Sequence, residues 1–374
     1  MMQLAGLAGL VVLPFALLFA GTSMANEPIR IGQTAVLSGP MAPNVDAFNE
    51  GVRLYFDAVN RAGGIDGRPI ELVSLDDVYL PDRARENAEQ LIADESIVAM
   101  LGVAGTGVSM AVAPLVEAAG MPLVGLITGA PELRAMGGGQ LFHVRATYTE
   151  EILAMVRYLK TIGITRLGAV YQADPFGQSA LRQLEQVVAE EEVEIVSTAS
   201  ISGPEFRADE AVAEILRDRP GAVLLLTAGG ASVEFIRLSH AAQYRPMFLG
   251  LSVVSTNALP QALGADAHGV IVAQVSPHPV SGKYPVVRDL QRLAAETGSL
   301  PDTHLAVEGF IASRILVEAL RRADGEFTRQ AITRALTAMG RFDAGGFEVD
   351  LSGVSGGAAF VDLSMLKADG TFAH

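Results

Sequence analysis

Three short segments set small hydroxyl- or amide-bearing residues directly after apolar runs: Ser38-Gly39-Pro40 with Asn44 close behind, Ala104-Gly105-Thr106-Gly107, and Ile127-Thr128-Gly129. Each run has the length of a buried strand. At the carboxyl end of such a strand the free N–H groups and the dipole of an opening helix attract an anion, and Ser or Thr hydroxyls add donors. The chemistry on offer is therefore the holding of a small anion. A purely structural alternative stands beside each position: Ser109 as the cap of its helix, and Ser38-Gly39-Pro40 as a plain turn.

Catalytic readings find less support. Asp76-Asp77 is a carboxylate pair, but one acid of such a pair commonly caps or pairs structurally. The six His, at 143, 240, 268, 278, 304 and 374, form no HExxH or other metal-ligand spacing. GxSxG is absent, and with no Cys a thiol nucleophile is excluded. Gly102, Gly105 and Gly107 fit neither GxGxxG nor GxxxxGK[ST], which disfavours a nucleotide. No cofactor and no metal are expected.

The elements that must position these residues follow from periodicity. Strand-like runs at 29–36, 70–75, 98–103 and 123–126 alternate with helix-period segments at 48–62, 83–93 and 109–119. After 142–146 a second series begins. Its helices are expected at 150–162, 175–191, 209–217 and 232–242, its strands at 167–171, 194–199, 222–227 and 246–250. A strand at 270–275 and a helix-rich stretch from 286 to 338 complete the chain. Short apolar runs alternating with helices give an α/β class with parallel central sheets. Residues 1–25 read as a cleavable signal peptide, an apolar run ending in Ser23-Met24-Ala25. No Cys stands near that site, so a lipid anchor on an N-terminal cysteine is excluded, and a periplasmic location is expected. The remaining chain exceeds the roughly 250–300 residues that one core supports, so two lobes are expected. A net charge of −15 argues against nucleic acid and against anionic membranes.

The order of several landmarks resembles the periplasmic leucine/isoleucine/valine-binding protein family, the type I solute receptors of ABC importers. These landmarks are IRIGQTAVLSGP at 29–40, LDD at 75–77 with Tyr79 and Pro81 following, and GVAGTGVSMAVAPLVEAAGMPLV at 102–124. TGAPELR at 128–134, FHVRATY at 142–148, YQADPFG at 171–177 and VEGFIASRILVEALRRA at 307–323 complete the set. No helix-turn-helix precedes the first strand, which separates the chain from the related sugar-responsive repressors. The resemblance implies two doubly wound lobes joined by three crossings, near Thr147–Glu150, Val275–His278 and Phe342–Gly346. Lobe 1 would then comprise residues 28–147 plus 278–342, and lobe 2 residues 148–275 plus 346–374.

It also implies a ligand carboxylate held by Thr106, Thr128 and Gly129, together with Ala104, Gly105 and Ile127 of the same loops, and Ser38 or Asn44 closing the rim. From lobe 2, Asp174 and Phe176 would open a helix, Phe176 would wall the ligand, and Ala228 and Ser252 would end strands facing the cleft. In the family's amino-acid receptors an acid meets the ligand ammonium and tyrosines line the cleft. Here Ser252 aligns with the acid, and Ala228 and Asn44 with tyrosines. Either Asp174 or Glu308 substitutes, or the ligand has no ammonium; Glu308, in an apolar helix, also suits a structural role. Two ligand readings stay open: a branched-chain or other apolar amino acid, and an aliphatic or aromatic carboxylic acid. The expected protein is a monomeric non-enzyme that closes on its ligand by a hinge and docks on an inner-membrane ABC permease. A periplasmic sensor module or a secreted hydrolase is the alternative of another class.

Overall fold

The computed structural model describes residues 27–373 apart from 40, 203–206, 255–257, 299, 354–355 and 370. The leader expected over 1–25, and Pro40 of the first turn, lie outside the described residues.

Strands and helices alternate from the start. The first series is β1 (Ile29–Ala35), α1 (Ala42–Arg61), β2 (Ile70–Asp76), α2 (Pro81–Ala93), β3 (Ile97–Leu101), α3 (Thr106–Ala118), β4 (Leu123–Val124) and β5 (Leu141–Phe142). The second is α4 (Tyr148–Thr161), β6 (Arg166–Gln172), α5 (Pro175–Glu191), β7 (Glu194–Ile201), α6 (Asp209–Asp218), β8 (Ala222–Leu226), α7 (Gly230–Ala241), β9 (Met247–Gly250), α8 (Ala258–Leu263) and β10 (Ile271–Gln274). Then come α9 (Pro285–Thr297), α10 (His304–Arg322), α11 (Arg329–Met339), β11 (Arg341–Asp343), β12 (Glu348–Asp350), β13 (Asp362–Leu366) and β14 (Phe372–Ala373).

The first sheet has the order β2-β1-β3-β4-β5 with every pair parallel. The second has the order β14-β13-β10-β9-β8-β6-β7; β10, β9, β8, β6 and β7 run parallel, β13 is antiparallel to β10, and β14 is antiparallel to β13. Both are doubly wound, and in each the order reverses at one point, between β1 and β3 and between β6 and β8. Ligands of open parallel sheets collect at such reversals, outside the carboxyl ends of the strands.

Three apolar cores follow. The first joins β1 to α1, α9, α10 and α11. The third joins β6 and β8 to α6 and α7. The middle one runs from α2 and α3 of the first lobe through Tyr148 and Phe176 to α4 and α5 of the second, so the two lobes are packed together across their facing ends. β3 is buried at every position, as a strand covered on both faces should be. Helices α1 and α10 touch backbone to backbone, because a Cβ at Gly51 would collide with the Ala306 carbonyl and one at Gly309 with the Phe48 carbonyl.

Helix starts differ from the periodicity most at α1 and α3. α1 begins at Ala42, six residues early, since Pro43 supplies a φ suited to a first turn and Ala42 and Val45 are buried. α3 begins at Thr106 with Gly105 at its cap; Ser109 therefore does not cap, and its buried hydroxyl has no hydrogen-bond partner among the described residues. The first crossing is fixed by a capping box, with Thr147 N donating to Glu150 Oε2 at 2.7 Å and Glu150 N to Thr147 Oγ1 at 3.3 Å. The second runs from β10 to α9. The hairpin β11–β12 packs Ala344, Phe347, Val349, Leu351 and Ala358 into the first core. The chain thus rejoins the second sheet only at Asp362, beyond Phe342–Gly346, where it makes this hairpin instead.

Candidate functional site

Between the two reversal points lies a small apolar cavity. It is lined by Val36, Met41, Asn44 and Val45 after β1, Tyr79 after β2, Ala104, Gly105 and Ile127 at the ends of β3 and β4, Tyr148 at the crossing, and Phe176, Ala228 and Val253 from the second lobe. Its volume is only about 30 Å³. No acidic side chain lines it among the described residues. A wider depression of about 410 Å³ opens beside the crossings, lined by Arg134, Thr147, Glu150, Arg341, Phe347 and Phe360 among others. It lies against the β11–β12 hairpin rather than at either sheet reversal.

The lining residue Gly105 is the N-cap of α3. Gly105 has φ +91°, and the first helical bond is Ser109 N to Gly105 O at 2.9 Å, so the amides of Thr106, Gly107 and Val108 have no acceptor within the helix. Thr106 Oγ1 lies 2.8 Å from Thr128 Oγ1, which lies 3.2 Å from the Tyr148 hydroxyl. This buried hydroxyl chain ties β3, β4 and the crossing into one rigid shelf. Tyr148 meets Phe176 edge-on at 5.4 Å between ring centroids.

Tyr79 covers the shelf. A Cβ on Gly105 would sit 2.5 Å from Tyr79 Cε2, so only glycine admits the ring there. The turn carrying Tyr79 is unusual, with Val78 at φ +47° and Tyr79 at φ +61°. For a β-branched residue that region is costly, and the two preceding acids hold it. Asp76 accepts from Val78 N at 3.0 Å, Leu37 N at 2.9 Å and Ser38 Oγ at 2.6 Å. Asp77 accepts from Tyr79 N at 2.9 Å and Thr34 Oγ1 at 3.1 Å. Burial pushes the Asp77 carboxyl up to about 6 and raises the Tyr79 phenol well above its usual value.

The carboxylates around the cavity are all engaged. Asp174 caps α5 by accepting from Gly177 N at 3.0 Å and takes Gln172 Nε2 at 2.6 Å. Glu308 and Arg145 form a bidentate pair, both contacts 2.9 Å, with side chains 2% and 0% exposed. Glu151, fully buried on α4, accepts from Ser252 N at 2.7 Å and Ser252 Oγ at 3.0 Å. Burial raises its carboxyl to about 7 against the opposing effects of Arg145 and Ser252. Across the cleft, Asn44 Nδ2 donates to Val253 O at 3.1 Å.

Of the residues expected from sequence, the cavity gathers Asn44, Ala104, Gly105, Ile127, Phe176 and Ala228. Thr106 and Thr128 stand next in sequence to Gly105 and Ile127, with their hydroxyls spent on each other. Gly129 accepts Tyr148 N at 2.7 Å and leaves room for its ring. Ser38, Asp174 and Ser252 are not brought into the lining; Asp76, Gln172 with the α5 amides, and Glu151 occupy them. Val36, Met41, Val45, Tyr79, Tyr148 and Val253 also line the cavity and were not expected from the sequence. Tyr79 could have been found as an aromatic three residues past the end of β2.

A family model for periplasmic binding proteins matches residues 28–370. Leu/Ile/Val-binding protein homolog 7 of Brucella suis biovar 1 (strain 1330) is 23% identical over 345 residues, covering 88% of this chain and 86% of its own. A substrate-binding periplasmic protein from Ralstonia solanacearum superposes with a TM-score of 0.86 at 33% identity, over 92% of this chain and 99% of that one. A possible leucine/isoleucine/valine-binding protein from Rhodopirellula baltica SH 1 gives 0.88 at 27% identity, over 95% and 98%.

Proposed function

Because this chain belongs to the periplasmic binding protein family, we propose that it is the solute-binding component of an ABC importer and takes a small carboxylate between its lobes. Members of the family are solute-binding proteins, not enzymes, and membership implies an extracytoplasmic location. The observation that carries the reading is the meeting of two sheet reversals over one apolar cavity, with Gly105, the N-cap of α3, in its lining. The amides at the start of α3 and the helix dipole would take the carboxylate. Tyr79, Tyr148 and Phe176 would enclose an apolar body. A cavity of about 30 Å³ holds about one water, so admission of a ligand needs the lobes to part about the three crossings and close again. A ligand shifts that balance only through its differential affinity for the closed form.

The ligand favoured by the electrostatics is an aliphatic or aromatic carboxylic acid without an ammonium group. Among the described residues no acid lines the cavity, and Asp174, Glu151 and Glu308 are engaged with other partners. An ammonium buried there without a carboxylate would lose roughly 3–5 kcal/mol. The names of its relatives favour the second reading, a branched-chain amino acid. Release from a leader over 1–25, action as a monomer and docking on an inner-membrane permease complete the proposal.

Matched pairs test it: 3-phenylpropanoate against L-phenylalanine, and 4-methylpentanoate against L-leucine. At a hundredfold excess over Kd, a ligand of the native state adds about 2.7 kcal/mol of apparent stability. The amine-free member of a pair should raise the melting temperature and its amino acid should not. The reverse result would restore the amino-acid reading, and turnover of any bound acid would remove the receptor reading.

A further inference from the structure

The TGAPELR segment carries two charged residues that the ligand site does not use. Arg134 is buried and donates from Nη2 to Arg145 O at 2.7 Å and from Nη1 to Gly356 O, which fastens it to the first and third crossings. Glu132, in the turn Pro131–Ala135 between β4 and β5, reaches the other lobe. Its Oε2 accepts from Ser179 Oγ at 2.7 Å and its Oε1 pairs with Arg182 Nη2 at 2.6 Å, both donors on α5. Ser179 is fully buried, while Arg182 and Glu132 are partly exposed. Although burial opposes it, Arg182 and Ser179 hold the Glu132 carboxyl below its usual value, so the pair is ionised.

We propose that Glu132, with Ser179 and Arg182, is a closure latch, made only when the lobes are shut, which sets how long the closed form persists. This rests on the hinge reading above. The segment is suited to the role, because Arg134 anchors it at the pivot while Glu132, two residues earlier, grips the moving lobe. Parting the lobes would separate a carboxylate from two donors at once, and both would then be free to hydrate. Contacts of this partly exposed kind bias an equilibrium modestly, which suits a receptor that must release its cargo.

The absence of Cys allows a direct test in the otherwise intact protein, with spin labels at Gln90→Cys on α2 and Glu190→Cys on α5. Distance distributions are recorded without ligand and with 3-phenylpropanoate. The unsubstituted background should show a short and a long population. Glu132→Gln and Arg182→Met should each raise the long-to-short ratio about two- to fivefold, and the double variant should do no more than either single. Raising NaCl to 1 M should shift the unsubstituted protein the same way and leave Glu132→Gln unmoved. Two populations whose ratio ignores both substitutions, or responds additively, would overturn the latch and leave the hinge standing. One distance under every condition would overturn the hinge reading and the latch with it.

Discussion

Replacing Glu151 with Gln should change how stability depends on pH. The side chain has no solvent exposure and its carboxyl titrates at about 7 in the fold, against 4.5 for an ordinary Glu. Between those values the folded state holds a proton that the unfolded state has lost. Stability therefore falls as pH rises through that window, and the full penalty is present above it. A shift from 4.5 to about 7, at 1.36 kcal/mol per unit, corresponds to about 3 kcal/mol. Gln cannot ionise, keeps the volume, and can both accept from Ser252 N and donate to Ser252 Oγ. The charges facing the position, Arg145 and Glu308, are retained. Urea unfolding at pH 4.5 and pH 8 should show the variant gaining up to about 3 kcal/mol on the wild type between the two. A stability difference that stays constant across that range would refute the argument that Glu151 is held protonated by burial. Asp77, raised to about 6, gives a slope of the same sign that survives in the variant.

Three further outcomes are expected. Glu308→Gln strands the buried Arg145 guanidinium and should cost about 3–5 kcal/mol in urea unfolding; a loss under about 1 kcal/mol would mean that Glu151 compensates the charge. Gly309→Ala forces α1 and α10 apart where the Phe48 carbonyl lies against the helix, and should lower stability by about 1–3 kcal/mol or more; an unchanged melting temperature would contradict the close crossing. Gly105→Ala at φ +91° drives a methyl into Tyr79. It should weaken binding of 3-phenylpropanoate at least about tenfold, or about 1.4 kcal/mol, while the protein stays folded, and intact affinity would show that Tyr79 does not cover the ligand.

Much of the architecture was legible because parallel sheets write themselves as apolar runs spaced by helices, and β3 is apolar throughout. The shelf was legible for the same reason: Gly105, Thr106, Ile127 and Thr128 follow strand ends. What escaped was decided by distant partners. Ser252 reads as a cleft residue at the end of β9, yet Glu151, a hundred residues earlier, takes both its donors. Ser38 reads as a rim hydroxyl, yet Asp76 on the neighbouring strand holds it. Tyr79 enters the cavity only because two consecutive residues adopt a left-handed backbone, which no periodicity signals. The hairpin β11–β12 packs with the first core through Ala344 and Phe347, contacts set by tertiary packing, so the last crossing falls later than its sequence suggested.

A structure of the protein bound to 3-phenylpropanoate is the most direct test. Both carboxylate oxygens are expected within hydrogen-bond reach of the amides at the start of α3, near Thr106 and Thr128, with the ring against Tyr79 and Phe176. A carboxylate seated away from those amides, or a ring turned away from Tyr79 and Phe176, would contradict the proposed site.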